Sequence, residues 1–357
     1  MKIAYLLNYP IEREDGVTLK IRTQMSQWKK SGHEVKAFNM FEVVENPKVD
    51  ASQYYCGNWF QKKLKLSNDL IQDMKTFAPD ILYFRFTYWN RTLGKLQKNY
   101  RNIIEINSDD VSEVKLNFIT IPTLKRAGIV ILDHFLRKPV LLNTNGLVCV
   151  TNELAAKQSF SRFNKQTAVC PNSYDCSGES FRKNIAPKGS RTALFFIGSP
   201  GQAWHGVDHI LTMAAELKQY DFHVVGETGN DTENMFFHGY LEREEYLKIM
   251  LECSICIGTL ALYRKKLEEA SPLKVREYIA CGYPVIIGYR DTAFEDSPGL
   301  PEWIHYQDFS HNVNTAEITD FVEKMKDYIV EEREGAQFID SRIIENKRVI
   351  FFEEILF

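Results

Sequence analysis

Nowhere does this chain run to eighteen consecutive apolar residues; its densest stretches, Gly128 to Leu132 and Pro284 to Tyr289, are far shorter. A membrane-spanning helix is therefore excluded. No Gly-x-Gly-x-x-Gly follows the first apolar run, which argues against a dinucleotide-binding dehydrogenase. Cysteine is scarce and odd in number, seven residues widely spread, so no disulfide framework is expected. The opening MKIAYLLNYP reads as a strand rather than an export leader, and with reduced thiols this gives the expectation of a cytoplasmic protein. The single CxxC, Cys253 and Cys256, lies in the apolar run CSICIGTL without a second ligand pair. His205 and His209 lack the intervening glutamate of a metalloprotease helix. No metal site is expected.

What is present is a globular composition, 44% hydrophobic and 25% charged, over 357 residues, more than one core usually serves. Two domains follow. The formal net charge of −3 conceals a division: residues 1–170 carry 25 Lys and Arg against 16 Asp and Glu, and the remainder 19 against 31. The halves are thus +9 and −12. That asymmetry steers an anionic partner to one half, or simply lets two solvated surfaces attract.

Along the chain, Ile3 to Leu7, a polar loop with Asp15 and Gly16, a helix to Lys30 and the run GHEVKAF make a βαβ unit. Further apolar runs at Pro79 to Phe86, Asn102 to Asn107 and Gly146 to Thr151 continue it. Their apolar residues are continuous rather than alternating, as in a parallel sheet covered on both faces. A polar stretch, Pro171 to Ser190, precedes a second series at Ala193 to Gly198, Phe222 to Gly226, Phe236 to Tyr240, Ser254 to Thr259 and Pro284 to Gly288. The expected fold is α/β, with two doubly wound Rossmann-like domains facing across a cleft at the carboxyl ends of their strands. The boundaries are a first domain over 1–172, a linker over 173–190, a second domain over 191–340, and a C-terminal helix over 341–357 that packs back on the first domain.

The most informative segment is EASPLKVREYIACGYPVIIG, Glu269 to Gly288. Ser271 and Pro272 read as N-cap and first helical residue, because a serine oxygen accepts from orphan N–H groups and proline has none. The helix start, with the amide of Leu273 and the ammonium of Lys274, suits a phosphate or an electron-rich sugar oxygen. Glu277, further into the helix, suits a ribose diol, and Glu269, just before it, the hydroxyls of a transferred sugar. A helix-bound pair of glutamates at this spacing is otherwise common on solvated faces.

At these residues the sequence resembles the retaining GT-B glycosyltransferases of family 4, the glycosyl transferases group 1. Their pattern of two glutamates, the second opening a helix that ends in Ala-x-Gly-x-Pro-Val, matches Glu269, Glu277, Ala280, Gly282, Pro284 and Val285. Phe196 to His209 resembles the family's first C-domain strand and glycine loop, and His238 to Tyr240 the strand end against which the base rests. Asp15 to Val35, with Gly16, resembles its N-terminal glycine loop and helix, while Tyr83, Arg85, Glu105 and Asn107 fall in its tyrosine, arginine and Glu-x-Asn elements. Pro171 and Asn172 match its Pro-Asn. The resemblance covers nearly the whole chain. It departs where Ser199 and His205 stand in place of a diphosphate-binding Arg and Lys, and where Ala270-Ser271-Pro272 replaces a glycine.

The resemblance implies an acceptor-binding first domain, a nucleotide-sugar-binding second domain, and transfer of a hexose-type sugar with retention and without metal or other cofactor. The donor is a UDP- or GDP-sugar. It implies Glu269 and Glu277 as catalytic residues and donor contacts from Gly16, Gly198, Ser199, His205, Gly239, Tyr240, Arg264, Ser271, Leu273 and Lys274. Arg85, Glu105 and Asn107 line the acceptor side, or Arg85 and Glu105 form a structural ion pair. His205 is expected to share the phosphate charge with Lys274 or Arg264. The acceptor is a glycan or lipid-linked saccharide rather than a nucleic acid. NWFQKKLKL, Asn58 to Leu66, then serves an anionic membrane surface through Lys62, Lys63 and Lys65 with Trp59, Phe60, Leu64 and Leu66 inserted, or covers the first sheet with its lysines solvated. The alternatives are a nucleotide-sugar epimerase of the same architecture and a non-catalytic scaffold subunit.

Overall fold

The computed structural model describes residues 1–55, 59–113, 135–177, 182–184 and 191–357, and of residues 59, 60 and 62 the helical backbone alone. Gly128 to Leu132 and Asn58 lie outside the described residues, as do the side chains of Trp59, Phe60 and Lys62. The chain divides into two compact units, Met1–Pro171 with Arg342–Phe357, and Asn172–Ser341.

The first unit is built on seven parallel strands: β1 (Lys2–Leu7), β2 (Glu34–Asn39), β3 (Ala51–Gln53), β4 (Ile81–Arg85), β5 (Arg101–Ile106), β6 (Gly146–Cys149) and β7 (Gln166–Val169). Their order is β3-β2-β1-β4-β5-β6-β7. Successive side chains of a strand point to opposite faces, and here both faces are apolar. Ala4 and Leu6 join one core with Leu70, Met74, Leu93 and Leu96 of the helices Asn68–Phe77 and Arg91–Asn99. Ile3, Tyr5 and Leu7 join another with Trp28 of the helix Gly16–Lys30 and Phe352 of the helix Ser341–Leu356. Gly16 is the first residue of its helix rather than part of a loop, because Asp15 caps the helix by accepting from the amides of Val17 and Thr18 at 3.0 and 2.8 Å.

The second unit is a six-stranded parallel sheet, ordered β10-β9-β8-β11-β13-β15, with a separate two-stranded pair β12-β14. Its strands are β8 (Thr192–Ile197), β9 (Tyr220–Val225), β10 (Met235–Gly239), β11 (Ile255–Ile257), β12 (Glu269–Ala270), β13 (Val285–Ile287), β14 (Arg290–Asp291) and β15 (Ile304–Tyr306). The described part of the stretch 173–190 is packed on this unit rather than a free linker. Tyr174 pairs with the backbone of Ile339 and Ser341, and the Lys183 ammonium donates to the carbonyls of Lys326 and Tyr328 at 2.9 and 2.7 Å. Its backbone and a buried ammonium need partners, and the unit's helix ends supply them.

Candidate functional site

In the second unit the chain turns outward on either side of β8, between β9 and β11, the point where strand order reverses and ligands of open α/β sheets bind. Three glycines let the backbone close up there. Gly198 donates its N–H to Val225 at 3.0 Å and Gly226 donates to Gly239 at 2.7 Å. Gly226 has φ +89°, and a Cβ on it would stand 1.7 Å from the carbonyl oxygen of Gly198, so no other residue fits. Gly201 donates to the Glu227 carboxylate at 2.8 Å, pinning the tip of the 198–202 turn. Gly206, φ +75°, then opens the helix Val207–Glu216.

Around this turn stand the cations. The Lys274 ammonium donates to the carbonyl of Ile197 at 2.9 Å and lies 3.9 Å from the Phe196 ring centroid. No carboxylate pairs with it among the described residues, and burial pushes its pKa down to about 7. Lys265, buried, lies 4.4 Å from the ring centroid of Trp204. Arg264 is committed elsewhere, forking onto both oxygens of Asp208 at 2.9 and 2.6 Å. His205 packs edge-on against Phe196, and its buried Nδ1 has no hydrogen-bond partner. Burial first, then the nearby charges of Lys274 and Lys265, hold its pKa down at about 2. It is neutral at physiological pH, so the expectation that it serves as a phosphate cation is corrected: a charged imidazole there would be desolvated beside two ammonium groups.

The helix expected at Ser271 begins at Leu273 with Pro272 in the N-cap position. Ser271 does not cap it. Its Oγ accepts from the amide of Asn172 at 2.8 Å and from Nη2 of Arg276 at 2.7 Å. Arg276 grips Asp291 through both Nη atoms, at 2.9 and 2.5 Å, and donates from Nε to the carbonyl of Asn172 at 2.8 Å. Arg276 and Asp291 are both fully buried at their side chains. This knot ties β14 and Asn172 to the turn before the helix, and neither Arg276 nor Asp291 is singled out by sequence pattern. The signal was available in Asn172, matched as Pro-Asn, whose amide and carbonyl are two of the knot's ties.

Glu277 is buried, with Oε1 accepting from Nε of Arg243 and Oε2 from the hydroxyl of Tyr246, both at 2.8 Å. Arg243 also donates to the Tyr174 hydroxyl at 2.9 Å. Glu269, buried in β12, accepts from the Thr292 hydroxyl at 2.7 Å. Both carboxylates are therefore held in place by hydrogen bonds rather than loose on a solvated helix. Ser199 and Tyr240 are exposed, Leu273 is half-buried, and Gly239, φ +64°, faces open space.

In the first unit, Glu105 is fully buried and well partnered: Oε1 meets Lys20 at 2.8 Å, Arg348 at 3.1 Å and Gln24 at 3.1 Å, and Oε2 accepts from Asn107 at 3.1 Å. Burial alone would raise its pKa, but Lys20, Arg348 and Arg85 outweigh it and hold the carboxyl well below the usual range. The pairing of Arg85 with Glu105 is thus corrected: they are register neighbours, while Lys20 and Arg348 supply the contacts. Glu105 has no exposure at its side chain and therefore holds the core through Lys20 and Arg348, while Asn107, half-buried, is tied to it. Gly16 is exposed at its helix start, outside this network.

Lys63 and Lys65 were expected either on a membrane-facing surface or solvated over the first sheet. Instead they line a cavity of about 350 Å³ within the first unit, and Lys63 donates to the carbonyl of Trp89 at 3.4 Å. Leu66 packs on the core, and Leu64 is exposed. No helix among the described residues is long and apolar enough to cross a membrane, and none of their His, Cys, Asp and Glu side chains form a metal-binding group of three.

Residues 208–347 match the family model described as glycosyl transferase-like. No curated protein matches the chain. Among solved structures it is similar to the sucrose-phosphate synthase of Thermosynechococcus elongatus, with a TM-score of 0.70 and 12% identity, over 99% of this chain and 98% of that one. It is similar to HepE of Anabaena, solved with UDP and glucose, with a TM-score of 0.61 and 13% identity over 99% of both chains. An alpha-glucosyltransferase solved with UDP and a mismatched DNA gives 0.64 and 15%, over 99% of this chain and all of that one. Residues 208–347 thus carry a glycosyl transferase-like sequence pattern, and the chain shares along its whole length the two-sheet α/β fold, GT-B, of these structures.

Proposed function

We propose that the protein is a retaining, metal-independent glycosyltransferase that moves a hexose-type sugar from UDP to a hydroxyl of a glycan, free or lipid-linked. It would work in the cytoplasm, at the membrane's inner face where the acceptor is lipid-linked. The observation that carries this reading is the Lys274 ammonium, half-buried and desolvated beside the Gly198 turn without a carboxylate partner among the described residues. A desolvated cation without a counter-charge is costly, and an anion arriving at that turn relieves the cost. UDP is preferred as the donor nucleotide because HepE and the alpha-glucosyltransferase were solved with it.

In the reaction the bond from the anomeric carbon to the donor phosphate oxygen breaks, and a bond to the acceptor oxygen forms on the same face. The acceptor's proton passes to the departing phosphate oxygen. Lys274 and the amides at the start of the helix Leu273–Ala280 stabilise the charge on the leaving diphosphate. Glu277, positioned by Arg243 and Tyr246, accepts from the ribose hydroxyls, and Glu269 from the sugar. Both are already hydrogen-bonded, which suits orientation better than nucleophilic attack of the glycosidase kind.

Purified protein incubated with UDP-sugars tests this. Slow UDP release, accelerated by a saccharide acceptor with formation of a glycoside, is the expected result. Free epimerised sugar would indicate the epimerase, and absence of both nucleotide binding and release the scaffold. Glu277→Gln keeps the shape and the Tyr246 contact but loses the charge, so kcat/KM for the donor should fall about tenfold or more, as expected for charge-assisted bonds. An unchanged kcat/KM in a folded variant rejects the role given to Glu277.

A further inference from the structure

The cavity in the first unit opens at the carboxyl ends of its central strands. Asn8 follows β1, Met40 follows β2, and Thr87 and Tyr88 follow β4. β1 is where strand order reverses in this sheet, so the position is the one at which an open α/β sheet receives a ligand. Among the described residues the lining carries Lys63 and Lys65 and no carboxylate. Lys65 is exposed and has no ion-pair partner among the described residues, whereas Lys63 lies 5.7 Å from the ring centroid of Tyr88 and donates to Trp89. Aromatic surface is present in Phe41, Tyr55 and Tyr88, with Tyr55 80% exposed and so available to a ligand. The amide of Asn8, which donates to Thr87 at 2.9 Å, adds a fixed polar edge.

From these features we infer that this cavity binds an acidic saccharide: a sugar ring laid on the tyrosines, with its phosphate or carboxylate met by Lys65 and Lys63. The aromatic faces accept the apolar face of a ring, the Asn8 amide its hydroxyls, and the exposed Lys65 ammonium, with no ion-pair partner among the described residues, favours a negative charge. An extended lipid surface fits less well, because both lysines line a concavity and Lys63 is held by a carbonyl and a ring. The +9 charge of residues 1–170 supplies the field that brings such a ligand in. That the bound saccharide is the acceptor rests on the transferase reading above; that it binds here does not.

The test uses the full chain without donor. Three probes are titrated at low salt and followed by NMR: a tetrasaccharide ending in glucuronate, the same tetrasaccharide with its carboxyl reduced, and glucose 6-phosphate. The glucuronate form should bind about tenfold or more tightly than the reduced form, and Lys65→Gln should remove most of that preference without altering the melting temperature. Glucose 6-phosphate binding, lost in the same variant, would identify a phosphate as the better anion, and its failure to bind a carboxylate; each supports the site. Equal binding of the charged and neutral tetrasaccharides, or a preference that survives Lys65→Gln, overturns the inference. So does binding to anionic phosphatidylglycerol vesicles with no saccharide binding, which would mark a membrane surface. A parallel UDP titration separates the two claims, since UDP binding reports on the second unit and is unaffected by Lys65→Gln.

Discussion

Lys274→Met should weaken UDP binding by about ten- to a hundredfold, leave uridine binding unchanged, and raise the melting temperature at pH 6.5. The two effects have opposite signs because they come from one ammonium in two settings. In the free protein it lies half-buried against Phe196 and donates to the carbonyl of Ile197, and desolvation pushes its pKa from the ordinary lysine value down to about 7. A folded-state pKa below the unfolded one makes protonation a cost to folding. That cost is full below pH 7 and is relieved as pH rises from 7 towards the unfolded value. Methionine keeps the apolar stem and removes the charge, so the gain in stability should shrink at alkaline pH. Calorimetry of binding and melting curves at two pH values check both arms. A variant that binds UDP as the natural protein does would remove Lys274 from the site.

Arg276→Met should be the most damaging single change in the second unit, lowering its stability by about 3 to 5 kcal/mol, as when one member of a buried ion pair is removed. Asp291 would keep the Tyr289 hydroxyl and the Ala293 amide, at 3.2 and 3.0 Å, but lose its charge partner in a fully buried setting. Asn172 and Ser271 would each lose a donor as well. Hydrogen exchange localises the loss, which should appear in residues 172–341 and spare residues 1–170. The double variant Arg276→Met, Asp291→Leu should recover much of it, since two apolar residues leave no orphaned charge. Equal damage in single and double variants would show that packing, not charge, dominates there.

These two side chains also mark where the sequence stopped being legible. Long continuous apolar runs disclosed β1, β2, β4, β5, β6 and most of the second sheet, because burial on both faces leaves a strand little choice of residue. The short strands β3, β12, β14 and β15, of two or three residues, carry no period to detect. Glu277 and Glu269 were visible as a motif, yet what positions them was not. Arg243, Tyr246 and Thr292 come from other elements, and only folding brings them to those carboxylates. Ser271 misled for a related reason. Its local pattern is that of an N-cap, but Arg276 and the Asn172 amide compete for the hydroxyl and win. His205 stood at a cation's position in the motif, and its burial beside Lys274 and Lys265, which no spacing reveals, makes it neutral. Lys63 and Lys65 read as a charged face because the composition of NWFQKKLKL cannot tell a concavity from a surface.

The claim that the second unit receives a nucleoside diphosphate at the Gly198 turn, with Lys274 as its cation, is tested most directly by calorimetric titration of UDP at pH 8 in buffers of different ionisation enthalpy. At that pH the phosphates of UDP are fully ionised, and Lys274, with a pKa of about 7, is mostly neutral in the free protein. An anion bound beside it restores the charge, so binding should take up about one proton per site in the natural protein and none in Lys274→Met. Binding of UDP without proton uptake, or no binding of UDP at all, would contradict the account.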